Sequence, residues 1–358
     1  MLKEKLSSLN LPKLASREEM LDMLQREEYG YMPPLPDTIM VKDGTSDSVK
    51  ECLIHNFCAG KATLNKVDLT VKLYGEEFTF PIYLSIPTKK PDSENGHPFF
   101  VHINFRDALP DLYLPVEEII DRGYAVISFC YKDVTSDDGD FTNGLAGVIT
   151  RHSPRGATTP GKIAMWAWAA QRALDYAYTL DCLDKSRAFV CGHSRLGKTA
   201  LLAAATDERF KLAYSNDSGC SGAALARGTE GETIKDICRV FPFWFCENYR
   251  KYVDNEQNMP FDQHWLASLI APRYLYVASA KEDAWADPKC EFLTCVAASE
   301  RYEDLGKVGF VCDDRLPEAG DVYHKGNIGY HLRYGTHYMG REDWNRVIDF
   351  AQTKKFDN

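Results

Sequence analysis

The stretch 187–206, RAFVCGHSRLGKTALLAAAT, constrains the fold more than any other part of the chain. Ala188 to Cys191 is a short apolar run that reads as a buried strand. Gly192 interrupts it, and an Ala/Leu-rich run from Thr199 reads as a helix. A buried strand, a tight glycine turn and a helix make the repeating unit of open α/β sheets, and the turn is where such sheets place their chemistry.

Two chemistries compete for this turn. Gly192-His193-Ser194-Arg195-Leu196-Gly197-Lys198-Thr199 fits the phosphate-loop pattern G-x-x-x-x-G-K-[ST] in full. In that reading backbone N–H groups cradle phosphates, Lys198 reaches the outer ones and Thr199 takes Mg²⁺. The same residues nearly fit the nucleophile elbow G-x-S-x-G, with Leu196 in the last glycine's place and Gly197 one residue later. A third reading is a structural turn with no chemistry. The surroundings favour the elbow. Several strands precede the turn, and no apolar strand ending in a Mg²⁺-binding Asp follows it. An elbow serine needs an acid and then a histidine later in the chain, and both occur.

The acidic balance, 42 Lys and Arg against 52 Asp and Glu for a net charge of −10, makes nucleic acid and anionic membrane poor partners. No continuous apolar segment reads as a secretory signal or a membrane span, so a cytoplasmic setting is expected. Eleven cysteines, odd in number and without C-x-x-C, read as reduced thiols rather than disulfides or metal ligands. No metal or organic cofactor is expected.

In chain order, residues 17–27 have helical apolar spacing and end at Gly30 and the proline run 33–36. Residues 1–60 are read as an N-terminal arm packed on a catalytic domain, 61–358. Val67–Tyr74 and Phe78–Ile86 alternate about Gly75 and predict an antiparallel hairpin. Phe99–Phe105 and Tyr124–Cys130 read as buried strands, with a helix over Leu114–Arg122 between them. Residues 132–161, rich in Asp, Gly, Thr and Pro, read as a long functional loop or small insertion. A helix over Ile163–Leu180 follows. Beyond the elbow come strands at Leu212–Asn216, Arg273–Ser279 and a short one at Val308–Val311, then a helix over Arg341–Lys354. The aromatic segment Phe241–Phe245 reads as core or packing face. Strands alternating with helices predict an α/β fold, a largely parallel central sheet with helices on both faces and an antiparallel N-terminal hairpin.

Ser194 needs a base to become a nucleophile. His337, in a polar loop before the final helix, is the best placed. His331 has a strand-like setting, His264 is read as orienting a loop, and His193 is expected to point elsewhere. The acid that holds the imidazole is Asp283, after a late strand, or Asp217, after the strand that follows the elbow helix. The backbone N–H of Arg195 is one candidate oxyanion donor, and its side chain adds a positive charge. Lys198, one turn along, is a candidate substrate ligand.

These residues resemble the glucuronoyl esterases, carbohydrate esterase family 15. The family's elbow reads G-C-S-R-N-G-K-G-A, which accounts for the displaced glycine. The resemblance continues through Asp207-Glu208-Arg209-Phe210, Ser218-Gly219, Gly231-Glu232-Thr233, Trp244-Phe245, Pro260-Phe261-Asp262-Gln263-His264, Leu269-Ile270-Ala271-Pro272-Arg273, Asp283 with Trp285, and Gly335-Thr336-His337. It implies an α/β-hydrolase fold with Ser194 as nucleophile, His337 as base and Arg195 at the oxyanion hole. It implies an acid at the Asp217 position, as in fungal members, or at the Asp283 position in bacterial ones. Lys198 and Trp285 look like the family's sugar contacts, and Glu232 like another. His193, Leu196 and Thr199 depart from the family's Cys, Asn and Gly. The expectation is a serine esterase acting on small-molecule or oligosaccharide esters, with an acetyl xylan esterase-type deacetylase as the alternative substrate class. A non-catalytic carbohydrate-binding protein, or a nucleotide-binding protein using 192–199, is the alternative of another class.

Overall fold

Six strands run parallel side by side, and their carboxyl ends all open on the same edge of the sheet. The computed structural model describes residues 1–43, 56–107, 109 and 111–356. Its strands are β1 (Thr38–Asp43), β2 (Ala62–Leu73), β3 (Glu76–Pro87), β4 (His97–Asn104), β5 (Ala125–Cys130), β6 (Leu183–His193), β7 (Leu212–Asn216), β8 (Tyr274–Ala280), β9 (Val322–Tyr323) and β10 (Ile328–Arg333). They lie in the order β1-β2-β3-β5-β4-β6-β7-β8-β10-β9. The run from β5 to β10 is parallel, while β1–β3 and β9 pair antiparallel with their neighbours.

The parallel strands are apolar on both faces because helices cover both. Phe99, Val101 and Ile103 of β4, with Ala188 and Val190 of β6, enter one core. The intervening Phe100, Phe189 and Cys191 enter the other. The hairpin forms as its alternation predicts, with Thr70 opposite Thr79 and Lys72 opposite Glu77. Tyr74 and Gly75 both take positive φ (55° and 82°), the two-residue turn whose twist suits paired strands.

The helices are α1 (Leu2–Ser8), α2 (Arg17–Leu24), α3 (Val116–Asp121), α4 (Tyr131–Val134), α5 (Gly144–His152), α6 (Lys162–Ala177), α7 (Arg195–Thr206), α8 (Ile234–Val240), α9 (Gln263–Ser268), α10 (Pro288–Asp304) and α11 (Arg341–Gln352). Helices α6, α7 and α10 pack on one face. Helices α3 and α11 pack on the other. No helix among the described residues is long and apolar enough to cross a membrane.

The segment before β1 is fastened to this frame. Ser16 and Glu19 form a capping box at the start of α2. Arg17 donates to the carbonyl of Ala205 (2.8 Å) and to that of Leu269. His264 contacts this segment, with Nε2 2.9 Å from the carbonyl of Pro12. A π-helical turn, Gln25–Tyr29, carries the chain inward, and the Tyr29 hydroxyl donates to the carbonyl of Ser221 (2.8 Å). Residues 44–55 of the arm region lie outside the described residues, and β1 joins the sheet as an edge strand.

Three local expectations are corrected. Val308–Val311 is not a strand: Val308 is 59% exposed, and Phe310 makes a single bridge to Ile328 of β10. Phe310 alone of the run packs on the core, against Tyr323 and Tyr330, and the exposed valines on either side have no sheet face to fill. The 132–161 stretch is not continuous loop, since α4 and α5 lie in and beside it and Leu145, Val148 and Ile149 of α5 are buried. The helix after the elbow starts at Arg195 rather than Thr199, because Ser194 itself is its N-cap.

Candidate active site

Four loops bring the predicted residues together at the carboxyl ends of parallel strands. Ser194 follows β6, Asp217 follows β7, Asp283 follows β8 and His337 follows β10. This is where open α/β sheets bind their ligands. Ser194, Arg195, Lys198, Asp217, Glu232, Asp283, Trp285 and His337 all line one open cleft of about 360 Å³.

The elbow is strained. Ser194 has φ 57° and ψ −130°, a backbone region that residues with a Cβ rarely occupy. Its N–H donates to the carbonyl of Asn216 on β7 (2.8 Å), and its carbonyl accepts from the N–H groups of Gly197 and Lys198 (2.8 and 3.2 Å). The glycine spacing has a steric cause. A Cβ on Gly192 would lie 2.3 Å from the Leu196 carbonyl oxygen, and one on Gly197 would lie 2.9 Å from Ser218 Cβ. The glycines therefore stand where the helix start crosses its own strand and where it meets the next.

The same bonds oppose a phosphate cradle. The Ser194, Gly197 and Lys198 N–H groups are committed to protein carbonyls. The Lys198 ammonium donates to the carbonyls of Ser218 (2.7 Å) and Cys220, with Glu232 at 3.5 Å. Thr199 Oγ1 donates to the carbonyl of Arg195 (2.9 Å).

His337 Nδ1 donates to Asp283 Oδ2 at 2.5 Å. The imidazole is 44% exposed and the carboxylate 5%. Asp217 is placed differently. Its oxygens accept from the Ala280 N–H (2.8 Å) and from Arg333 Nη2 (3.2 Å), although it lies close to Asp283 and His337. Burial, reinforced by the charge of Glu291, raises the Asp217 carboxyl well above the usual carboxylate range. Glu291 is itself buried, which pushes its carboxyl up to about 8.

His193 does turn its Nδ1 elsewhere, donating to Asn216 Oδ1 at 2.6 Å, but its ring centroid stays 4.4 Å from that of His337. Burial, and then the neighbouring His337, lower its pKa to about 3, so it faces the His337 imidazole as a neutral ring.

Three residues of the site escape the sequence reading. Asp137 pairs with the Arg195 guanidinium and accepts from Trp244 Nε1 (2.8 Å) and the Tyr131 hydroxyl (2.8 Å). Phe241 and Trp244, read as packing, line the cleft and stack with centroids 3.9 Å apart and planes at 1°. The Arg195 guanidinium lies 4.6 Å from the Trp244 ring centroid and 5.1 Å from that of Phe241. The available signals were the Asp-rich loop at 132–161 and the aromatic cluster at 241–245. Neither indicates its partner, because the ion pair spans 58 residues.

Comparison with known proteins places this geometry in a family. The model of the fungal glucuronyl esterase family matches residues 69–306. A carbohydrate esterase from an unknown prokaryotic organism is 42% identical over 241 residues, 66% of this chain and 55% of that protein. The 4-O-methyl-glucuronoyl methylesterase of Podospora anserina is 26% identical over 301 residues, 81% of this chain and 56% of that protein. The chain thus spans a little over half the length of these curated relatives. The solved glucuronoyl esterase from Solibacter usitatus superposes with a TM-score of 0.81 at 30% identity, covering 94% of this chain and 91% of that one. The α/β-hydrolase sheet, the elbow and the family match agree: the chain belongs to the glucuronyl esterase family.

Proposed function

We propose that the chain is a serine carboxylester hydrolase that cleaves esters of glucuronic acid or its 4-O-methyl ether. The observation that carries this reading is the 2.5 Å hydrogen bond from His337 Nδ1 to Asp283, in the cleft that Ser194 lines from its strained turn. The bond fixes the tautomer that leaves Nε2 free to act as a base.

In this mechanism His337 takes the Ser194 proton as Oγ attacks the ester carbonyl, and Asp283 stabilises the imidazolium that forms. The Arg195 N–H has no helical acceptor, being at the first position of α7, and it points positive dipole toward the developing oxyanion. The Arg195 side chain, steadied by Asp137 and Trp244, adds positive charge to the same cleft. His337 then protonates the leaving alcohol, and water releases the uronic acid from Ser194. Lys198 and Glu232, buried at the cleft wall, and Trp285, 56% exposed at its rim, are assigned to the sugar. Substrate hydroxyls fit the Glu232 carboxylate and an apolar sugar face fits the indole, while Lys198, whose ammonium donates to the Ser218 and Cys220 carbonyls, holds positive charge beside Glu232 in the cleft wall. The names of the relatives support the uronate over the acetyl alternative.

The test is hydrolysis of benzyl glucuronate beside an aryl acetate, with Ser194→Ala as control. Uronate turnover that disappears in the variant is expected. Turnover of the acetate alone would move the substrate class to acetylated sugars. Turnover of either substrate that persists in Ser194→Ala would remove the serine mechanism.

A further inference from the structure

Arg333, the last residue of β10, sits directly behind the catalytic loop and was not singled out by its sequence. Its side chain is 7% exposed and does not line the cleft. The guanidinium has contacts in every direction. Nε donates to both carboxylate oxygens of Asp343 (2.9 Å each). Nη2 donates to Asp217 Oδ2 (3.2 Å), to the carbonyl of Thr336 (3.1 Å) and to that of Tyr338. Nη1 donates to the carbonyl of Tyr334 (3.0 Å).

Three of these acceptors are backbone carbonyls of 334–338, the turn that carries His337 between residues 336 and 338. The Asp217 contact reaches the neighbouring loop, because the other Asp217 oxygen accepts from the N–H of Ala280, three residues before Asp283. The Asp343 contact reaches the start of α11, where Asp343 also accepts from Asn216 Nδ2 and lies 3.1 Å from His331 Nε2. One planar, permanently charged group thus ties together the loop of the base, the loop of its acid and the helix that follows. A five-donor fork suits this task and a lysine ammonium does not, since three donors on a point cannot span carboxylates and carbonyls on opposite sides.

We propose that Arg333 is a positioning residue for catalysis: it fixes His337 and Asp283 relative to each other without touching substrate. The proposal rests on the reading of Ser194, His337 and Asp283 as the reacting set. It separates Arg333 from Asp217, whose carboxylate serves here as a strut between Arg333 and the Asp283 loop.

The experiment compares the parent, Arg333→Lys, Arg333→Ala and Ser194→Ala on benzyl glucuronate, with circular dichroism and thermal unfolding on each. Arg333→Lys keeps a buried cation opposite two buried carboxylates, so it is the variant that preserves the fold. Expected is a folded Arg333→Lys with kcat lower by about a hundredfold, the scale of a misplacement near 1 Å, and KM within about threefold of the parent. Adding guanidinium at tens of millimolar to Arg333→Ala is expected to raise kcat at least about tenfold while leaving Arg333→Lys unchanged, since only the truncation leaves room for it. Parent-like kcat in Arg333→Lys overturns the proposal, and so does a raised KM at unchanged kcat. An Arg333→Lys that does not fold also overturns it, by assigning the residue to the fold alone. If instead Ser194→Ala hydrolyses as fast as the parent, the catalytic reading itself fails, whatever the arginine variants do.

Discussion

Asp283 holds His337 through a 2.5 Å hydrogen bond to Nδ1, although Asp217, on the adjacent strand's loop, lies within 4.8 Å of the same groups. The two aspartates are equivalent in the sequence and divided in the fold. Asp283 faces the imidazole, while Asp217 faces the Ala280 N–H and the Arg333 guanidinium.

The first prediction follows from that division. Asp283→Asn is expected to lower kcat by about 10⁴, because the amide presents a donor to Nδ1 and inverts the tautomer. Asp217→Asn keeps an acceptor for Ala280 and is expected to cost no more than about a hundredfold, the scale of one hydrogen bond to a charged group. Steady-state kinetics of both variants on benzyl glucuronate decide it. Equal losses would contradict the assignment.

Arg195 depends on a partner in a distant loop. Asp137→Asn removes the charge that pairs with the guanidinium while retaining an acceptor for Trp244 Nε1. It is expected to lower kcat by about tenfold, the equivalent of roughly 1.4 kcal/mol in the transition state. Measured kcat with unchanged thermal stability is the check.

The elbow's glycine spacing is steric. Gly192→Ala places a Cβ 2.3 Å from the Leu196 carbonyl, a backbone atom that moves only with the helix start. The expected loss of stability is about 1–3 kcal/mol or more, read as a lower denaturant midpoint. Activity falls with it, because the displaced turn carries Ser194.

Acid pH bears on the buried imidazoles, of which His193, His102 and His264 are all lowered by burial. Burial lowers His193 to about 3 and His102 to about 4. In the unfolded chain both bind a proton near the ordinary 6.5, so the unfolded state takes up more protons below that value. Their contribution to stability is therefore complete above about pH 6.5 and is lost as pH falls toward 4 and then 3. Each adds a slope of up to roughly 1.4 kcal/mol per pH unit in that window. Glu291, raised to about 8, acts in the opposite sense. Its stabilising share is complete below about 4.5 and is lost as pH rises through 8. Denaturant unfolding between pH 4 and 6.5 is expected to be shallower in His102→Gln than in the parent. An identical slope would remove His102 from the account.

Trp285 stands exposed at the rim of the cleft, and the proposed function assigns it to binding alone. Trp285→Ala is expected to raise KM by about tenfold, the upper scale of an aromatic contact, with kcat within about threefold. A fall in kcat at unchanged KM would place the indole in the chemistry instead.

The chain's local order was legible in its residues. Apolar runs of the right length gave the parallel strands, alternation about Gly75 gave the hairpin, and the spacing of Gly192, Ser194 and Gly197 marked the strained turn that opens α7. Those signals are short-range, set by side-chain period and by how closely backbone approaches backbone. The fold decided what depends on sequences meeting in space. It selected which aspartate faces His337 and closed Asp137 on Arg195. It turned Phe241 and Trp244 toward the cleft and threaded Arg333 behind the loop of His337. It also declined a strand at Val308–Val311, where Phe310 packs against Tyr323 and Tyr330 while both valines stay exposed. Hydrogen bonds and ion pairs between residues dozens of positions apart leave no period in the chain. They exist only once the sheet has set its strand order, and that order determines which loops become neighbours.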